Sequence, residues 1–296
     1  MAGVLLGATL WGLSGTAAQE LFRHWAVAPV WLLAVRMLAA GAGLAALSGS
    51  RGGAGLPRIG GADRGRVVGF GIAGLAAVQY TYLAAIRDGN AVVATLLQDL
   101  GPVLLMGWTA LRERRGPTGR EIAAWLLALG GTALLLTDGR LGPLWVPPSA
   151  VAWGLGSAVA AAFYTAYPRP LILRYGARRV VGWGLLAGGL PFAPALVLVP
   201  PPSAPAAWAL VGCVALLGTL AAFTLYLASL AWLRPLETSL LATAEPLAAT
   251  AAGVGLLHVP FDGWMALGAA GIVAAVVLLA GTPPGRAAGR SSAVAQ

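Results

Sequence analysis

The chain is built from apolar stretches of about twenty residues, separated by short segments rich in Arg, Pro and Gly. A helix needs about 20 predominantly apolar residues to cross the hydrocarbon core of a bilayer. Of the 296 residues, 58% are hydrophobic and only 10% are charged, whereas about a quarter of the residues in a soluble domain are charged. The sequence therefore predicts an integral membrane protein.

The Arg, Pro and Gly clusters divide the chain into ten apolar segments. These segments lack the alternation of a barrel strand and are about twice as long as one. We therefore predict an all-α integral membrane protein with ten transmembrane helices. The predicted spans are 2–20, 27–48, 66–86, 90–111, 120–138, 148–168, 178–199, 206–231, 236–257 and 263–281.

The distribution of basic residues predicts the orientation. All nineteen are Arg, and with a cytoplasmic N-terminus fifteen of them fall in cytoplasmic connections, against Arg23, Arg87 and Arg140 in outer ones. Cytoplasmic loops carry an excess of basic residues, so we expect a multi-pass protein of the cell membrane with both termini in the cytoplasm. No basic domain with interleaved aromatic residues is present, so we expect no nucleic-acid partner.

The sequence weakly matches itself at an offset of 144 residues. This match divides it into two five-helix halves, residues 1–141 and 142–283, followed by a tail, 284–296, that we expect to be disordered and cytoplasmic. Because each half has an odd number of helices, the second half enters the membrane from the opposite side, which predicts inverted repeats. The matched residues include Gly74, Tyr82 and Pro102 with Gly218, Tyr226 and Pro246.

Three ionisable residues lie near the middle of predicted helices: Arg36, Asp99 and Glu245. A charged residue at the centre of a membrane helix costs roughly 2.5–3.5 kcal/mol on insertion scales. Such side chains must face the interior of the bundle or water, and inverted-repeat transporters place their substrate site at the midplane between the repeats. We therefore predict a polar cavity in which these three residues converge.

Two prolines accompany the acidic residues. Pro246 directly follows Glu245, and Pro102 lies three residues after Asp99. Because Pro has no backbone N–H, we expect Pro246 to leave a carbonyl one turn earlier without its usual partner and to add a polar group to the cavity. The repeat aligns Asp99 with Thr243, so the two acidic residues are not equivalent.

Further polar and aromatic residues accompany these three ionisable ones in the predicted helices. A midplane carboxylate is also suited to carry protons, so Glu245, Asp99 or both are expected coupling sites. In the alternative interpretation, Arg36 and Asp99 form a fixed structural ion pair, Glu245 stays protonated, and the tyrosines only pack. The predicted substrate and proton pathway comprises Trp11, Ser14, Arg36, Gln79, Tyr82, Gln98, Asp99, Tyr164, Tyr226 and Glu245.

The remaining chemistry-bearing residues exclude several functions. Cys213 is the single cysteine, so no internal disulfide is possible, and His24 and His258 have no cluster of metal-ligating neighbours. There is no phosphate-binding Gly-Lys-Ser/Thr loop. We therefore expect no metal, no cofactor and no nucleotide hydrolysis.

Several short motifs occur in a characteristic order. They are Trp11-Gly12, the lone Arg36, "YLAAI" from Tyr82, Pro102 leading to "LRERR" around Glu113, "GGTALLL", "YLASL" from Tyr226, the Glu245-Pro246 pair and a Gly-rich last helix. With these motifs the sequence resembles the EamA family of the drug/metabolite transporter superfamily over almost its whole length. It departs from the family in "LLHVP", where His258 stands at or next to a usual helix-end Glu.

The resemblance implies a secondary active transporter that works by alternating access, and an exporter rather than an enzyme. It implies small substrates such as amino acids, other metabolites or drugs, and a monomer or homodimer in the lipid bilayer. It also implies that the fifth and tenth helices lie at the periphery. The alternatives are a non-transporting membrane scaffold and an intramembrane serine protease, because "GLSG" at Gly12 to Gly15 resembles a rhomboid nucleophile motif with Ser14 as the nucleophile.

Overall fold

The computed structural model describes residues 1–50, 59–112, 114, 118–137, 146–242, 244–258 and 261–280. Throughout these residues the regular structure is helical. The predicted disordered tail lies outside the described residues, as do Glu113, Thr243 and six of the nineteen arginines. Those arginines are Arg51, Arg58, Arg115, Arg140 and those of the tail.

The helices are α1 (Ala2–His24), α2 (Pro29–Ser50), α3 (Gly61–Gly69), α4 (Ala77–Asp88), α5 (Ala91–Gln98), α6 (Gly101–Arg112), α7 (Gly119–Thr137), α8 (Pro148–Ala166), α9 (Arg169–Tyr175), α10 (Ala177–Gly189), α11 (Ala195–Leu198), α12 (Pro205–Gly212), α13 (Ala222–Ser229), α14 (Pro235–Leu241), α15 (Ala244–Leu257) and α16 (Gly263–Ala280). A π-helical segment, Phe70–Ala76, joins α3 to α4, and a second, Cys213–Ala221, joins α12 to α13.

Six helical stretches within the described residues are long and apolar enough to cross a membrane. This confirms the predicted all-α membrane class. The shorter apolar stretches Ile122–Leu134 and Gly263–Leu278 belong to α7 and α16. The six long stretches are Pro29–Leu47, Gly61–Asp88, Ala91–Leu111, Pro148–Ala166, Pro205–Ser229 and Glu237–Leu257.

Helix α1 is not among the six because small and polar residues interrupt its apolar sequence. It contacts α15, α13, the second π-helical segment, α4 and α5. Its Ser14, Thr16 and Gln19 are buried against these neighbours. A helix surrounded by protein can carry small and hydrogen-bonding residues, because they allow close packing between membrane helices.

The helices of the N-terminal half pack against those of the C-terminal half in matching pairs. Helix α1 contacts α13 and α15, whereas α8 contacts α4 and α5. Helix α2 packs on α10, and α7 packs on α16. Each half therefore completes its packing with helices from the other half.

Two predicted helices are interrupted at their centres. Helix α5 ends at Gln98 and α6 begins at Gly101, while α14 ends at Leu241 and α15 begins at Ala244. Pro102 and Pro246 therefore lie in the first turn of α6 and α15, where a helix does not need the missing N–H.

The carbonyl that Pro246 was expected to leave free has another partner. The backbone N–H of Glu245 donates to the Ala242 carbonyl oxygen at 2.9 Å. The expectation that this oxygen stays free is therefore wrong, because the Glu245 N–H takes the place of the N–H that Pro246 lacks.

A glycine pair lets α7 and α16 approach closely. A Cβ atom at Gly131 would lie 2.6 Å from the Gly268 carbonyl oxygen and 3.0 Å from the Ile272 nitrogen. The adjacent Gly130 is exposed and has no atom within 4 Å of the equivalent position. The contact between these two helices therefore depends on the absence of a side chain at Gly131.

We expect Gly131→Ala to destabilise the protein by roughly 1–3 kcal/mol, because the added methyl group must push α16 away. Gly130→Ala is the matched control, and we expect it to be neutral or to stabilise α7 by about 0.5–1 kcal/mol. Thermal unfolding of the purified variants measures the difference. Equal melting temperatures for the two variants would contradict this account of the α7–α16 contact.

Candidate functional site

A small cavity lies at the centre of the bundle, where α1, α2, α4, α8, α13 and α15 meet the end of α5. Its volume is about 20 Å³, which is room for about one water molecule. It is lined by Trp11, Ser14, Arg36, Val78, Gln79, Tyr82, Gln98, Tyr164, Phe223 and Glu245.

Eight of the ten predicted pathway residues line this cavity, and the other two, Asp99 and Tyr226, are not part of its lining. The Tyr226 ring lies behind the cavity wall, with its centroid 4.9 Å from that of Trp11. Asp99 is buried at the interruption between α5 and α6. The structure thus shows where the ten side chains lie, while their roles remain predictions.

Arg36 reaches the cavity from α2 and is held by the second π-helical segment. Its Nε donates to Thr219 Oγ1 at 2.7 Å, and its Nη2 lies 3.5 Å from the Gly218 carbonyl oxygen. Thr219 Oγ1 in turn donates to the Val214 carbonyl oxygen at 2.9 Å. A π-helical turn often marks a functional position in a helix, and here it presents a hydroxyl and a carbonyl to a buried guanidinium group.

The two acidic residues sit near the helix interruptions. Glu245 lies in the first turn of α15 and is 3% exposed, and Asp99 is 7% exposed. Asp99 and Arg36 both lie within Coulombic range of Glu245. Asp99 Oδ2 is buried and has no hydrogen-bond partner among the described residues.

The fixed ion pair between Arg36 and Asp99 is not what the structure contains. Among the described residues, neither of these side chains takes part in an ion pair within 4.0 Å, and Glu245 takes part in none either. Arg36 is instead held by neutral groups. Its positive charge and the Glu245 carboxyl group therefore share the cavity without neutralising each other through direct contact.

Three aromatic rings, those of Trp11, Tyr164 and Phe223, form one wall of the site, and Tyr226 packs behind them. The Trp11 centroid lies 4.8 Å from that of Phe223 and 6.4 Å from that of Tyr164. The ring centroids of Tyr164 and Tyr226 are 5.8 Å apart. The Tyr226 hydroxyl hydrogen-bonds with Thr165 Oγ1 at 3.0 Å. Trp11 Nε1 is buried without a hydrogen-bond partner in the described part of the chain.

Polar side chains of α4 and α5 form another wall. Gln79 Nε2 donates to the Leu75 carbonyl oxygen at 3.1 Å, which leaves Gln79 Oε1 buried without a partner within the described ranges. The Tyr82 hydroxyl hydrogen-bonds with Thr95 Oγ1 at 2.8 Å, and Ser157 Oγ donates to Gln98 Oε1 at 2.5 Å. Unpartnered buried polar atoms are rare in folded proteins, and a polar ligand in the cavity would give Trp11 Nε1 and Gln79 Oε1 their partners.

The "GLSG" motif has a packing role in α1. A Cβ atom at Gly12 would lie 2.7 Å from the Glu245 carbonyl oxygen, and one at Gly15 would collide with the Tyr82 hydroxyl. Ser14 packs directly on Gly218. The small residues therefore let α1 lie against α15, α4 and the second π-helical segment.

Neither of the two histidines is a neighbour of Ser14 in the cavity. His24 Nδ1 contacts Glu20 Oε1 at 2.8 Å at the end of α1, and no histidine lines the cavity. His258 is exposed and follows α15 with a φ of 50°, the left-handed conformation that commonly ends a helix. The general base that a Ser14 nucleophile requires is thus not supplied by a neighbouring histidine among the described residues.

Several residues of the site were not predicted from the sequence. Val78 and Phe223 line the cavity, and Thr219 and Ser157 hold its polar side chains. Phe223 lies three residues before Tyr226, so helical spacing was an available signal for its shared face. Thr219 gave no such signal, because its partner is 183 positions away in the sequence.

Comparisons with known proteins agree with this architecture. A solved structure titled "Crystal structure of protein" matches 92% of this chain and 96% of its own length, with a TM-score of 0.62 and 23% sequence identity, which supports the fold alone. The chain is also 34% identical over 286 residues to the "Uncharacterized inner membrane transporter YicL" of Salmonella typhimurium, covering 94% of each protein.

The profile of the EamA-like transporter family matches residues 1–137 and 148–281. Together these ranges include every residue of the cavity lining. The chain is therefore a membrane transporter and belongs to the EamA-like transporter family.

Proposed function

We propose that this protein is a secondary active exporter of small metabolites, such as amino acids or drugs, that works by alternating access. The observation that carries the proposal is the arrangement of Arg36 and Glu245. These two ionisable side chains line one buried cavity, and no ion pair within 4.0 Å joins them. A buried charge is stabilised by pairing or hydrogen bonding, and a transported solute would provide groups that complement both.

The ten predicted membrane segments are proposed to form two inverted five-helix repeats. The two π-helical segments, Phe70–Ala76 and Cys213–Ala221, lie at nearly equivalent positions at the 144-residue offset of the internal match. The interruptions after α5 and after α14 correspond to within one residue at the same offset. Interrupted helices at corresponding positions of two halves are typical of the binding sites of inverted-repeat transporters.

The proposed substrate is a zwitterion, with an amino acid as the first choice. Arg36 and Trp11 Nε1 provide hydrogen-bond donors for a carboxylate, while Glu245 and Gln79 Oε1 provide acceptors for an ammonium group. The aromatic wall favours an apolar or aromatic side chain. A cationic drug would use the acceptors and the aromatic rings but not Arg36.

Transport requires the bundle to open, because a cavity of about 20 Å³ holds about one water molecule and not an amino acid. The interruptions beside Asp99 and Glu245 place helix ends next to the ionisable groups. We propose that the carboxyl group of Glu245 exchanges a proton for the ammonium group of the substrate, with Asp99 as a second proton site. Binding of either one then excludes the other, which is the requirement for coupled exchange.

The proposed orientation places both termini in the cytoplasm, as the arginine distribution predicts. The proposed oligomeric state is a monomer or a homodimer. Helices α7 and α16 contribute no residue to the cavity lining, and their contacts are made chiefly with each other. This position makes the α7–α16 pair a candidate dimer surface and leaves the transport cavity within one chain.

A non-transporting scaffold is the second candidate function. It leaves the buried Trp11 Nε1, Gln79 Oε1 and Asp99 Oδ2 atoms without a use. Solute flux into proteoliposomes separates the two functions, since a scaffold supports no counterflow of any amino acid or cationic drug.

We expect Glu245→Gln to retain solute exchange between equal concentrations but to lose transport driven by a pH gradient by tenfold or more, because the amide cannot carry a proton. A panel of labelled amino acids in proteoliposomes identifies the substrate, and a pH-sensitive dye reports proton movement. Glu237→Gln is the matched control, since Glu237 is a half-exposed carboxylate bonded to Arg234. Unchanged pH dependence in both Glu245→Gln and Asp99→Asn would contradict proton coupling at this site.

We expect Arg36→Ala to abolish resistance to toxic amino acid analogues while resistance to cationic drugs changes by less than about threefold. The reason is that the variant removes the proposed carboxylate partner, whose charge-assisted hydrogen bonds contribute about 1.5–3 kcal/mol. Growth of cells expressing each variant measures the effect. Arg23→Ala, at the exposed end of α1, is the control, and equal losses for both compound classes would contradict a specific role in carboxylate binding.

A further inference from the structure

A second, much larger cavity opens on the surface of the bundle between α2, α3 and α10. Its volume is about 710 Å³, and it shares no lining residue with the central cavity. We refer to it as the lateral groove. Its walls are Leu38, Ile59, Val67, Val68, Trp183, Leu186, Ala187 and Leu190, together with Arg64 and Arg179.

The groove is charged at one end and apolar along its length. On α10 and the turn after it, the lining residues are Arg179, Trp183, Leu186, Ala187 and Leu190, which follow one helical face. With a rise of 1.5 Å per residue, this stripe is about 16 Å long. One leaflet of hydrocarbon is about 15 Å thick, so the apolar part matches the reach of an acyl chain.

The opposite wall repeats this order of charge and apolar residues. Arg64 is followed by Val67 and Val68 on the same face of α3. Both arginines therefore stand at the first turn or two of their helices, with aliphatic side chains beyond them. Trp183 lies one turn beyond Arg179, a position in which an aromatic ring contacts the lipid glycerol region.

The surrounding charge is strongly positive. Helices α3, α9 and α10 carry six arginines and a single acidic residue, Asp63. Both oxygens of Asp63 are already used: Oδ1 accepts from Arg66 at 3.1 Å, and Oδ2 accepts from Arg174 at 2.9 Å and from the Tyr175 hydroxyl at 2.7 Å. Asp63 therefore does not neutralise the charged end of the groove.

We propose that the lateral groove binds an anionic phospholipid, with the phosphate group between Arg64 and Arg179 and one acyl chain along the apolar walls. Basic pockets between membrane helices recognise anionic lipid head groups. A zwitterionic lipid carries a positive group that the excess of arginine disfavours. The bound lipid would join α3 to α10, which are helices of opposite halves of the chain.

The test is native mass spectrometry of the purified full-length protein titrated with phosphatidylglycerol or phosphatidylcholine. We expect phosphatidylglycerol to bind at least tenfold more tightly. The double variant Arg64→Ala/Arg179→Ala should weaken phosphatidylglycerol binding about thirtyfold, since each basic residue contributes about 1 kcal/mol to the attraction. Arg178→Ala, which removes a neighbouring arginine outside the groove lining, is the matched control and should keep at least half of the binding strength.

A second variant tests the acyl chain. Ala187→Phe should fill the apolar part of the groove and weaken phosphatidylglycerol binding tenfold or more with both arginines intact, whereas added inorganic phosphate should compete only weakly. Melting curves establish that each variant is folded. Equal binding of the two lipids, wild-type binding in either groove variant, or full displacement by inorganic phosphate would each overturn the proposal.

Discussion

The cost of placing ionisable side chains inside a membrane governs the centre of this protein. Arg36, Asp99 and Glu245 are all buried, and each would be strongly destabilising in contact with lipid. The structure satisfies Arg36 with a hydroxyl and a carbonyl of the second π-helical segment. The helices that carry Arg36 and Glu245 thereby surround a small polar cavity within an otherwise apolar core.

Backbone geometry allows this arrangement. Gly12 brings α1 against the backbone of Glu245, and Gly218 lies directly against Ser14. The interruptions after α5 and α14 then place the acidic residues at helix ends, where irregular backbone is tolerated because it lies within protein. The same small residues that make α1 a weak transmembrane segment by hydropathy are the ones that let it occupy the middle of the bundle.

The central cavity and the lateral groove face different surroundings. The central cavity is small and lined by polar and aromatic side chains from both halves of the chain, whereas the groove is much larger and mostly apolar. Helix α10 connects them indirectly, since it contacts α2, which carries Arg36, and also contacts both α3 and the first π-helical segment. An acyl chain between α3 and α10 would therefore act on helices next to the cavity rather than on the cavity itself.

The sequence by itself determined the helical membrane class, the approximate helical segments and the identity of most cavity residues, because hydropathy and the cost of buried charge act locally along the chain. Only the tertiary structure decided how those residues are held. The hydrogen-bond partner of Arg36 is Thr219, not Asp99. The Ala242 carbonyl oxygen, one turn before Pro246, accepts a hydrogen bond from the Glu245 N–H. Such outcomes depend on which of several distant polar groups comes within hydrogen-bond distance after packing, and one-dimensional patterns carry no information about that distance.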